Sequence, residues 1–526
     1  MDNAYVTISD VLADRAAARP DHEIIRFPDG TMTYGELDER ANRMAHLLAT
    51  LGTGPGERAA VLLPNGPDFL TTWFGISRGG AVEVPLNVAL KGDLLAYQLN
   101  QAECSTLVID SSLLDRVETI ADRLSSLRSV VVAGGAPREV PGLEIVSLED
   151  GLAASRAGHP GVTVDPLSPS GVLFTSGTTG PSKGVVRSHG NDFTLARTTI
   201  SIMGYQSGET LFTAFPLFHL NAKFNSVLPA MLLDGAIVLH DRFSASRFWD
   251  ICREEGVTAF NFMGALLIML MKQPERDDDR QHRVRCAYGA PAPATIFADF
   301  ERRFGVRLVE VYGSTELGIA THNTVDDFKI GSCGRPADYF EVEIHDPDDR
   351  PCPPGVEGEL VVRPRRPGVL FSEYYRMPEA TLQAFRNLWF HSGDRAVQDE
   401  DGTFRYVDRM KDAIRRRGEN ISSWEVEKSM LTHTGVAEAA VVGVPSELTD
   451  EEVLAVVVLA DPALTPEQLL DHLQERLPHF AVPRYVRVVD ELPKTPSQRV
   501  EKYRLREEGL TSDTWDRQAH GYEIRR

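Results

Sequence analysis

The stretch that decides the fold is Thr-Ser-Gly-Thr-Thr-Gly-Pro-Ser-Lys-Gly, residues 175–184, which directly follows the apolar run Val-Leu-Phe at 172–174. Glycines let the backbone come close to a bound group and aim N–H donors at it, hydroxyls add donors, and a lysine adds positive charge. A polyphosphate needs this chemistry, although a Gly, Ser and Thr cluster also suits a surface turn. The segment is not a Walker loop, GxxxxGK[ST]. Counted from Gly177, that pattern requires a glycine directly before the lysine, but the chain has Ser182 before Lys183.

Around this loop the chain alternates helical and strand patterns. Thr33-Tyr34-Gly35-Glu36 is a capping box that opens a helix. Strands that alternate with helices predict an α/β fold with largely parallel sheets, and we expect the alternation to continue to about residue 405. The β-rich runs of the first part are 59–63, 81–84, 106–109 and 130–132.

The sequence changes character past residue 405. A helical pattern runs from Ser423 to Leu431, apolar strands follow at 439–444 and 453–459, and a further helix opens at Thr465-Pro466. A segment of this kind suits a small, separate α+β domain. The predicted architecture is therefore a large N-terminal domain of layered sheets and helices that carries a small C-terminal domain.

Composition excludes several classes of protein. The chain has 526 residues and a formal net charge of −21, which disfavours wholesale binding to nucleic acid. No run approaches the length of a spanning helix, and the N-terminus lacks the basic start and apolar core of a signal peptide. Five cysteines without a CxxC pair argue for reduced thiols and against a zinc site or a disulfide framework. We expect a cytoplasmic protein without a membrane span.

The 175–184 segment resembles the phosphate loop of the adenylate-forming superfamily, which includes acyl-CoA synthetases, peptide-synthetase adenylation domains and luciferase. Further segments resemble other motifs of the superfamily in the same order. They are the acid-pocket motif at 215–219, the adenine-contacting turn Gly289-Ala290-Pro291, the nucleotide and magnesium motif at 311–316, the ribose motif at 391–394, and the hinge with its following loop at 409–420. The finer resemblance is to carnitine- and crotonobetaine-type CoA ligases.

The resemblance implies the reaction. A carboxylate is a poor electrophile because its negative charge repels a nucleophile and oxide is a poor leaving group. Joining it to the α-phosphate of ATP makes an acyl-adenylate, from which AMP leaves easily. Because two anions must be brought together, cations and fixed donors carry the catalysis. We expect an AMP-forming ligase that uses ATP and Mg²⁺, releases pyrophosphate and passes the acyl group to CoA.

The resemblance also assigns roles around the nucleotide. The loop would hold the β- and γ-phosphates, Thr315 would contact the α-phosphate, and Glu316 would hold Mg²⁺ as a hard oxygen ligand. Asp394 would accept hydrogen bonds from both ribose hydroxyls, and Tyr312 would stack on adenine. The implied ATP and AMP contacts are Thr175, Ser176, Gly177, Thr178, Thr179, Gly180, Lys183, Gly289, Ala290, Pro291, Tyr312, Gly313, Ser314, Thr315, Asp394 and Arg409.

The acid pocket implied by the resemblance contains His219, Asn221, Lys223 and Gly313. His219 would lie at the carboxylate end of the acid, whereas a histidine after an apolar run is otherwise a structural residue. Lys223 is either a solvated lysine or a counter-charge that draws in an anionic substrate. The Phe, Met and Leu content of the surrounding segments suggests an apolar or aromatic acid.

The predictions for the C-terminal part concern the movement of the small domain and the acceptor. Lys411 matches the hinge position about which the small domain turns between two half-reactions, so the implied domains are 1–408, a hinge at 409–412, and a mobile lid at 413–526. Gly418 matches the opening of the acceptor tunnel. The run Arg415-Arg416-Arg417 before it is either a solvated face or an attraction for the phosphates of CoA.

The sequence departs from the superfamily pattern at the catalytic lysine of the tail. Where the superfamily has Gly-Lys, this chain has Gln498-Arg499, and Lys502 follows three residues later. Arginine keeps the charge but is planar and bulkier than an ammonium group. Either Arg499 or Lys502 takes the role, with Lys502 favoured. The predicted catalytic set is Lys502, Arg499, Thr315, Glu316 and His219.

Two other functions are also compatible with the sequence. An amide-forming ligase would share the adenylation step but pass the acyl group directly to an amine or amino acid. A non-catalytic nucleotide-binding relative is prompted by Arg499 alone.

Overall fold

A computed structural model of the chain describes residues 7–175, 182–213, 215–292, 294–409, 413–446, 451–493, 500 and 502–525. The large unit comprises Met1–Val88, Leu99–Phe174 and Gly184–Asp408, and the small unit comprises Ala89–Gln98, Thr175–Lys183 and Arg409–Arg526. A large N-terminal domain with a small C-terminal domain was predicted and is confirmed. The exact domain limits and the hinge remain predictions, since 410–412 lie outside the described residues.

The strands are, in chain order, β1 Glu23–Phe27, β2 Gly30–Thr33, β3 Arg58–Leu62, β4 Val82–Pro85, β5 Thr106–Asp110, β6 Ser129–Ala133, β7 Glu144–Ser147, β8 Pro169–Thr175, β9 Lys183–Ser188, β10 Thr210–Thr213, β11 Ala236–Leu239, β12 Ala259–Phe262, β13 Cys286–Gly289, β14 Arg307–Ser314, β15 Gly318–His322, β16 Arg335–Pro336, β17 Phe340–His345, β18 Glu357–Pro364, β19 Phe385–Arg386, β20 Trp389–Gln398, β21 Phe404–Arg409, β22 Ala413–Arg416, β23 Glu419–Ser422, β24 Val436–Pro445, β25 Glu451–Leu459, β26 Tyr485–Val488 and β27 Trp515–Asp516.

The α-helices are α1 Ile8–Ala18, α2 Tyr34–Thr50, α3 Pro67–Arg78, α4 Gly92–Gln101, α5 Asp115–Glu118, α6 Leu148–Ala154, α7 His189–Met203, α8 Leu220–Ala222, α9 Leu228–Leu232, α10 Phe248–Glu254, α11 Gly264–Met271, α12 Ala294–Phe304, α13 Pro378–Ala384, α14 Ser423–Leu431, α15 Pro466–Gln474 and α16 Lys502–Glu508. A π-helix, Lys223–Val227, separates α8 from α9. Among the helices described, none combines the length and the apolar character that a membrane span requires.

Two sheets of the large unit contain the predicted parallel strands. A seven-stranded sheet has the order β7-β6-β5-β3-β4-β8-β9, and its neighbouring strands from β7 to β8 pair in parallel. A nine-stranded sheet has the order β16-β15-β14-β13-β12-β10-β11-β1-β2, with parallel pairs from β14 to β1 and antiparallel pairs at both edges. The predicted α/β class is therefore confirmed.

The local signals that predicted these elements act as expected. The Thr33 hydroxyl accepts from the backbone N–H of Glu36 while the Glu36 carboxylate accepts from the backbone N–H of Thr33, which completes the predicted capping box of α2. The apolar runs of the first part form β3, β4, β5 and β6, each buried along most of its length. Near-continuous burial is typical of strands covered on both faces.

The predicted alternation of strands and helices up to residue 405 is wrong in its last part. Strands β17 to β21 form an antiparallel sheet, and α13 is the one α-helix within that part of the chain. The physical reason is visible in β17, where buried and half-buried positions alternate. Such a strand needs cover on one face and can be joined to its neighbour by a tight turn rather than by a crossover helix.

The small unit is α+β, as predicted for the C-terminal part. It contains the four-stranded sheet β24-β25-β26-β27 and the two-stranded sheet β22-β23. Helices α14 and α15 form at the predicted positions, and α15 begins with a capping box from Thr465 to Gln468. Val441, Val453, Ala455 and Leu470 are fully buried in the core of this unit.

Candidate active site

The adenine-contacting turn follows directly from β13 in the large unit. Strands β13 and β14 are parallel neighbours, and Gly289 pairs with Glu310. A Cβ atom on Gly289 would lie 2.0 Å from the carbonyl oxygen of Phe262, so only glycine lets β12 and β13 approach this closely. Ala290 and Pro291 then continue past the carboxyl end of the strand. In sheets of this kind, ligands bind at that edge.

Glu310 was not singled out in the sequence, yet it belongs to this edge of the sheet. Burial raises the pKa of its carboxyl group to about 7. Its Oε2 atom is buried and accepts no hydrogen bond within the described part of the chain. Shifted pKa values of this kind are frequent at functional sites, so Glu310 is a candidate site residue beside the predicted nucleotide turn.

The structure brings Tyr312 and Asp394 together, although 82 residues separate them in the chain. The phenol of Tyr312 donates a 2.6 Å hydrogen bond to Oδ2 of Asp394. The side chains lie on β14 and β20, and both residues are buried, 7% and 5% exposed respectively. The ring of Tyr312 also stacks against Tyr406, with 6.1 Å between centroids. The hydrogen bond therefore joins the predicted nucleotide and magnesium motif to the predicted ribose motif.

Thr315 and Glu316 lie in the turn between β14 and β15, and two side chains hold that turn. Nη1 of Arg187 donates a 2.7 Å hydrogen bond to the carbonyl oxygen of Thr315. The hydroxyl of Tyr374 donates a 2.9 Å hydrogen bond to Oε1 of Glu316. Burial, reinforced by Glu316, raises the pKa of the Tyr374 phenol, so the phenol stays a donor. Gly313 is obligatory because a Cβ there would lie 1.8 Å from the carbonyl oxygen of Gly318.

The hydroxyl of Ser314 accepts a 3.4 Å hydrogen bond from the N–H of Leu317 and so stays within the same turn.

Arg187, which the sequence motifs did not single out, holds the turn of Thr315 and Glu316. Its guanidinium forms a 2.8 Å ion pair with Asp192, and both side chains are 1% exposed. The second oxygen of Asp192 accepts a 2.6 Å hydrogen bond from Ser170, and Arg187 also lies over the ring of Phe224. Arg187 lies between two valines and the helix cap Ser188, and Asp192 follows five residues later. This pattern is a signal that could have indicated a buried pair.

His219 and Asn221 lie where the acid-pocket motif meets α8. His219 precedes this helix, is half-buried and packs its ring against Phe218, with 4.5 Å between centroids. Oδ1 of Asn221 accepts a 2.5 Å hydrogen bond from the amide of Asn261 on β12. The π-helix that follows is a form found often at functional sites. These positions are compatible with a pocket wall, and their roles toward an acid remain predictions.

Lys223 corrects the sequence analysis. Its side chain is fully buried and forms an ion pair with Glu83, so the expectation of a solvated lysine is wrong. Three aromatic rings surround the ammonium. The distances from Nζ to the ring centroids are 5.1 Å for Trp73, 5.3 Å for Phe224 and 6.0 Å for Phe69. Burial raises the pKa of Glu83 while Lys223 opposes that shift. Because the core already compensates the ammonium, the structure also speaks against a counter-charge for substrate.

The glycine-rich loop is described only at its ends. Thr175 ends β8 and Lys183 begins β9, whereas Ser176, Gly177, Thr178, Thr179 and Gly180 lie outside the described residues.

At the described end of this loop, Ser182 belongs to the small unit. It donates from its backbone N–H at 3.1 Å and from its hydroxyl at 2.5 Å to Oε1 of Glu425 on α14. Burial raises the pKa of Glu425.

The predicted arginine run alternates between solvent and core. Arg415 and Arg417 are exposed, but Arg416 is 3% exposed and its Nε lies 2.6 Å from the carboxylate of Glu452. The expectation of a uniformly solvated face is therefore wrong at Arg416, because alternate residues of β22 point to opposite faces. Gly418 has φ +90° at the β22–β23 turn, a conformation that favours glycine.

The structure places one of the two candidate adenylation cations. Nζ of Lys502 lies 2.5 Å from Oε1 of Glu427 and 2.9 Å from the hydroxyl of Ser423, both on α14. Arg499 and Lys411 lie outside the described residues, and Arg409 is described only by its backbone at the end of β21.

A magnesium ion was predicted at Glu316. In the part of the chain that the structure describes, no three or more His, Cys, Asp or Glu side chains gather into a metal site. Mg²⁺ is nevertheless often held by one or two carboxylates together with substrate phosphates. The single carboxylate of Glu316, oriented by Tyr374, fits that donor set.

Comparison with known proteins supports the predicted superfamily. The family described as AMP-binding enzyme matches residues 12–375, and its C-terminal domain family matches residues 425–499. A crotonobetaine/carnitine–CoA ligase of Salmonella agona (strain SL483) is 32% identical over 492 residues, a match that covers 90% of this chain and 93% of that protein. The predicted resemblance is therefore confirmed.

Solved structures of similar fold include ligases with different acceptors. The amide bond synthetase McbA from Marinactinospora thermotolerans has a TM-score of 0.83 at 28% identity, and the match covers 96% of this chain and 99% of that one. A variant of o-succinylbenzoate CoA synthetase from Bacillus subtilis has a TM-score of 0.82 at 26% identity, with 95% and 98% covered. A fatty acyl CoA synthetase of Mycobacterium tuberculosis has a TM-score of 0.70 at 27% identity, again with 95% and 98% covered. Since the family match spans well over half of the chain, this protein belongs to the AMP-binding enzyme family of AMP-forming ligases.

Proposed function

We propose that this protein is an ATP-dependent carboxylic acid–CoA ligase. A carboxylate oxygen of the acid attacks the α-phosphorus of ATP, the bond to the β-phosphate breaks, and pyrophosphate leaves. The thiol of CoA then attacks the acyl carbon of the adenylate, AMP leaves, and a thioester forms. The observation that carries the proposal is the cluster of Tyr312, Asp394, Thr315 and Glu316, which joins the nucleotide motifs of a family whose relatives include CoA ligases.

Each residue of this cluster has a task in the first step. Asp394 would accept from the ribose hydroxyls, with Tyr312 holding one of its oxygens in place. Thr315 would bind the α-phosphate, and Arg187 fixes the backbone from which Thr315 projects. Fixed donors of this kind lower the barrier because they need no reorganisation when charge develops on the phosphoryl group.

Glu316 would hold Mg²⁺, which when bound supplies neutralisation of the phosphate charges. The hydrogen bond from Tyr374 orients the carboxylate for that role. The tail supplies a further cation to the same step, either Arg499 or Lys502. Because Glu427 and Ser423 engage the ammonium of Lys502, we now favour Arg499.

The substrate is proposed to be an apolar or aromatic acid, with His219, Asn221 and Gly313 in the pocket. Phe218, Phe224 and Val227 are buried beside His219 and Asn221, which supports an apolar wall. All five cysteines are free thiols, and four of them are buried. This supports a cytoplasmic location, where thiols stay reduced.

The decisive experiment separates the two steps. Acid-dependent exchange of labelled pyrophosphate into ATP tests adenylation across an acid library. The adenylated acid is then offered CoA in one series and amines in the other. Thioester formation supports the CoA ligase, whereas amide formation without CoA supports the alternative that the likeness to the amide bond synthetase raises. ATP cleaved to ADP and phosphate would contradict both.

A further inference from the structure

The C-terminal tail buries an arginine with a guanidinium nitrogen that has no hydrogen-bond partner among the described residues. Arg517 follows β27 directly and is 8% exposed. Within the described part of the chain, Nη1 of its guanidinium is shielded from solvent and has no hydrogen-bond partner. Burial, reinforced by Arg416, lowers the pKa of Arg517 to about 10. A buried guanidinium without a partner is strongly unfavourable, so its retention points to a missing partner.

The nearby carboxylate of Glu452 is already engaged. Its Oε2 lies 2.6 Å from Nε of Arg416, and its Oε1 lies 3.5 Å from Nη2 of Arg417. Arg416 is held further by the carbonyl oxygen of Phe480, 2.7 Å from its Nη1. The side chain of Glu452 is 2% exposed, so its charge is compensated by these arginines and not by water.

The other nearby acid is engaged as well. Asp516 forms a two-pronged pair with Arg484, with N–O distances of 3.2 and 3.1 Å. The backbone N–H of Arg517 donates to the carbonyl oxygen of Arg484, which joins the two arginines. Among the described residues, Arg416, Arg417, Arg484 and Arg517 therefore carry four positive charges against the two negative charges of Glu452 and Asp516.

We propose that Arg517 and Arg417 form the binding site of a phosphate dianion on the small unit. An excess of two positive charges matches a doubly charged anion. Guanidinium groups suit tetrahedral phosphate oxygens because their N–H groups form a planar fork. Arg417 stays 58% exposed on its side-chain atoms and acts electrostatically on the buried Arg517, so the proposed site has one accessible and one buried cation.

Two sources could supply this anion. One is free phosphate or the pyrophosphate released by adenylation. The other is a phosphate monoester carried by the acceptor, such as the 3′-phosphate of CoA. The proposal concerns the shared chemistry and does not require that the acceptor be CoA.

The test measures the thermal unfolding of the full chain without ATP or acid, so it is independent of catalysis. Sodium phosphate should raise the midpoint by about 2 °C relative to sodium chloride of equal ionic strength, once phosphate exceeds its Kd about tenfold. Arg517→Gln should lose this response, and its midpoint in chloride should equal or exceed that of the wild type. Arg487→Gln is the matched control, because Arg487 is also largely buried but has Glu508 as its partner. It should lose stability and keep the phosphate response.

Arg417→Gln provides a second variant at an exposed position, should Arg517→Gln fail to fold. It should weaken the phosphate response about tenfold in concentration. CoA and dephospho-CoA identify the source: a response to CoA that dephospho-CoA does not share and that Arg517→Gln loses assigns the 3′-phosphate, whereas a response to phosphate without this difference assigns a free anion. A phosphate response that survives in both variants, or one that chloride reproduces, would overturn the site.

Discussion

Nη1 of Arg187 lies 2.7 Å from the carbonyl oxygen of Thr315, a residue 128 positions further along the chain. The guanidinium is itself fixed by Asp192, and the pair is almost completely buried. The hydrogen bond therefore ties the strand that leaves the glycine-rich loop to the turn that carries Thr315 and Glu316. Arg187 acts on Thr315 through its backbone carbonyl, so we regard it as a positioning residue.

Arg187→Lys should lower the kcat of acid-dependent pyrophosphate exchange by about 10- to 100-fold, with a smaller change in the KM for ATP. The ammonium keeps the charge but cannot hold Asp192 and Thr315 at once, and a hydrogen bond to a charged group is worth about 1.5–3 kcal/mol. Arg363→Lys on β18 is the surface control, since its Glu341 partner is partly exposed. A loss of stability with unchanged kcat would reduce Arg187 to a structural role.

Tyr312→Phe should raise the KM for ATP by about tenfold while leaving the fold intact. The variant keeps the ring on Tyr406 but removes the 2.6 Å hydrogen bond to Asp394, worth about 1.5 kcal/mol. Asp394→Ala should cost more, because it removes the predicted ribose acceptor itself. Steady-state exchange kinetics in both variants are the measurement, and equal KM values for Tyr312→Phe and the wild type would contradict the role of the phenol.

Glu310 should make the protein less stable as the pH rises. Burial raises the pKa of this carboxyl from 4.5 to about 7 in the folded chain. The folded state then binds its proton more tightly than the unfolded state, so the stabilisation is complete below pH 4.5 and is lost through pH 7. The full effect is about 3 kcal/mol. Glu310→Gln should match the wild type in thermal unfolding at pH 5 and exceed it at pH 8; a constant difference across this window would exclude the titration.

Leu388→Asn should stabilise the protein by about 0.5–1 kcal/mol. Leu388 has φ +65° between β19 and β20 and is 81% exposed, so it bears a conformational penalty without burying its side chain. Asparagine tolerates this conformation better than leucine does. Leu382→Asn on α13 is the control, because that leucine is also exposed but helical. The two midpoints should move in opposite directions.

Arg499→Ala should abolish most acid-dependent pyrophosphate exchange, whereas Lys502→Ala should mainly lower stability. Lys502 is tied to Glu427 and Ser423 within the small unit, so its removal leaves a half-buried carboxylate without its cation. Exchange rates and unfolding midpoints of both variants, with Lys494→Ala as the control, decide the assignment. A greater loss of exchange in Lys502→Ala would return the role to that lysine.

Sequence patterns predicted the elements whose signals are local. The capping box at Thr33 and the apolar runs of β3 to β6 depend on neighbours in the chain, and they form as expected. The antiparallel sheet between β17 and β21 was missed because its strands carry a weaker, alternating pattern. The motif residues Tyr312 and Asp394 were identified through the family resemblance, and their direct hydrogen bond was not predicted.

The partners that decide charge states could not be predicted in this way. Glu83 and Lys223 are 140 residues apart, and neither flanking sequence distinguishes a buried pair from two surface residues. Arg416 lies between two exposed arginines, so only the position of Glu452 on another strand shows that it is buried. Long-range compensation of this kind depends on the packing of the whole unit.

The buried Lys223–Glu83 ion pair, with three aromatic rings around the ammonium, limits which substitutions near the proposed acid pocket the fold can accept. His219 and Asn221 of the proposed acid pocket are not part of this buried ion pair. Lys223 and Glu83 must instead be exchanged as a couple for two apolar residues of similar volume, since either one left alone would place an orphan ion inside the protein. Libraries that randomise the π-helix without also varying β4 will therefore recover lysine at position 223 again and again.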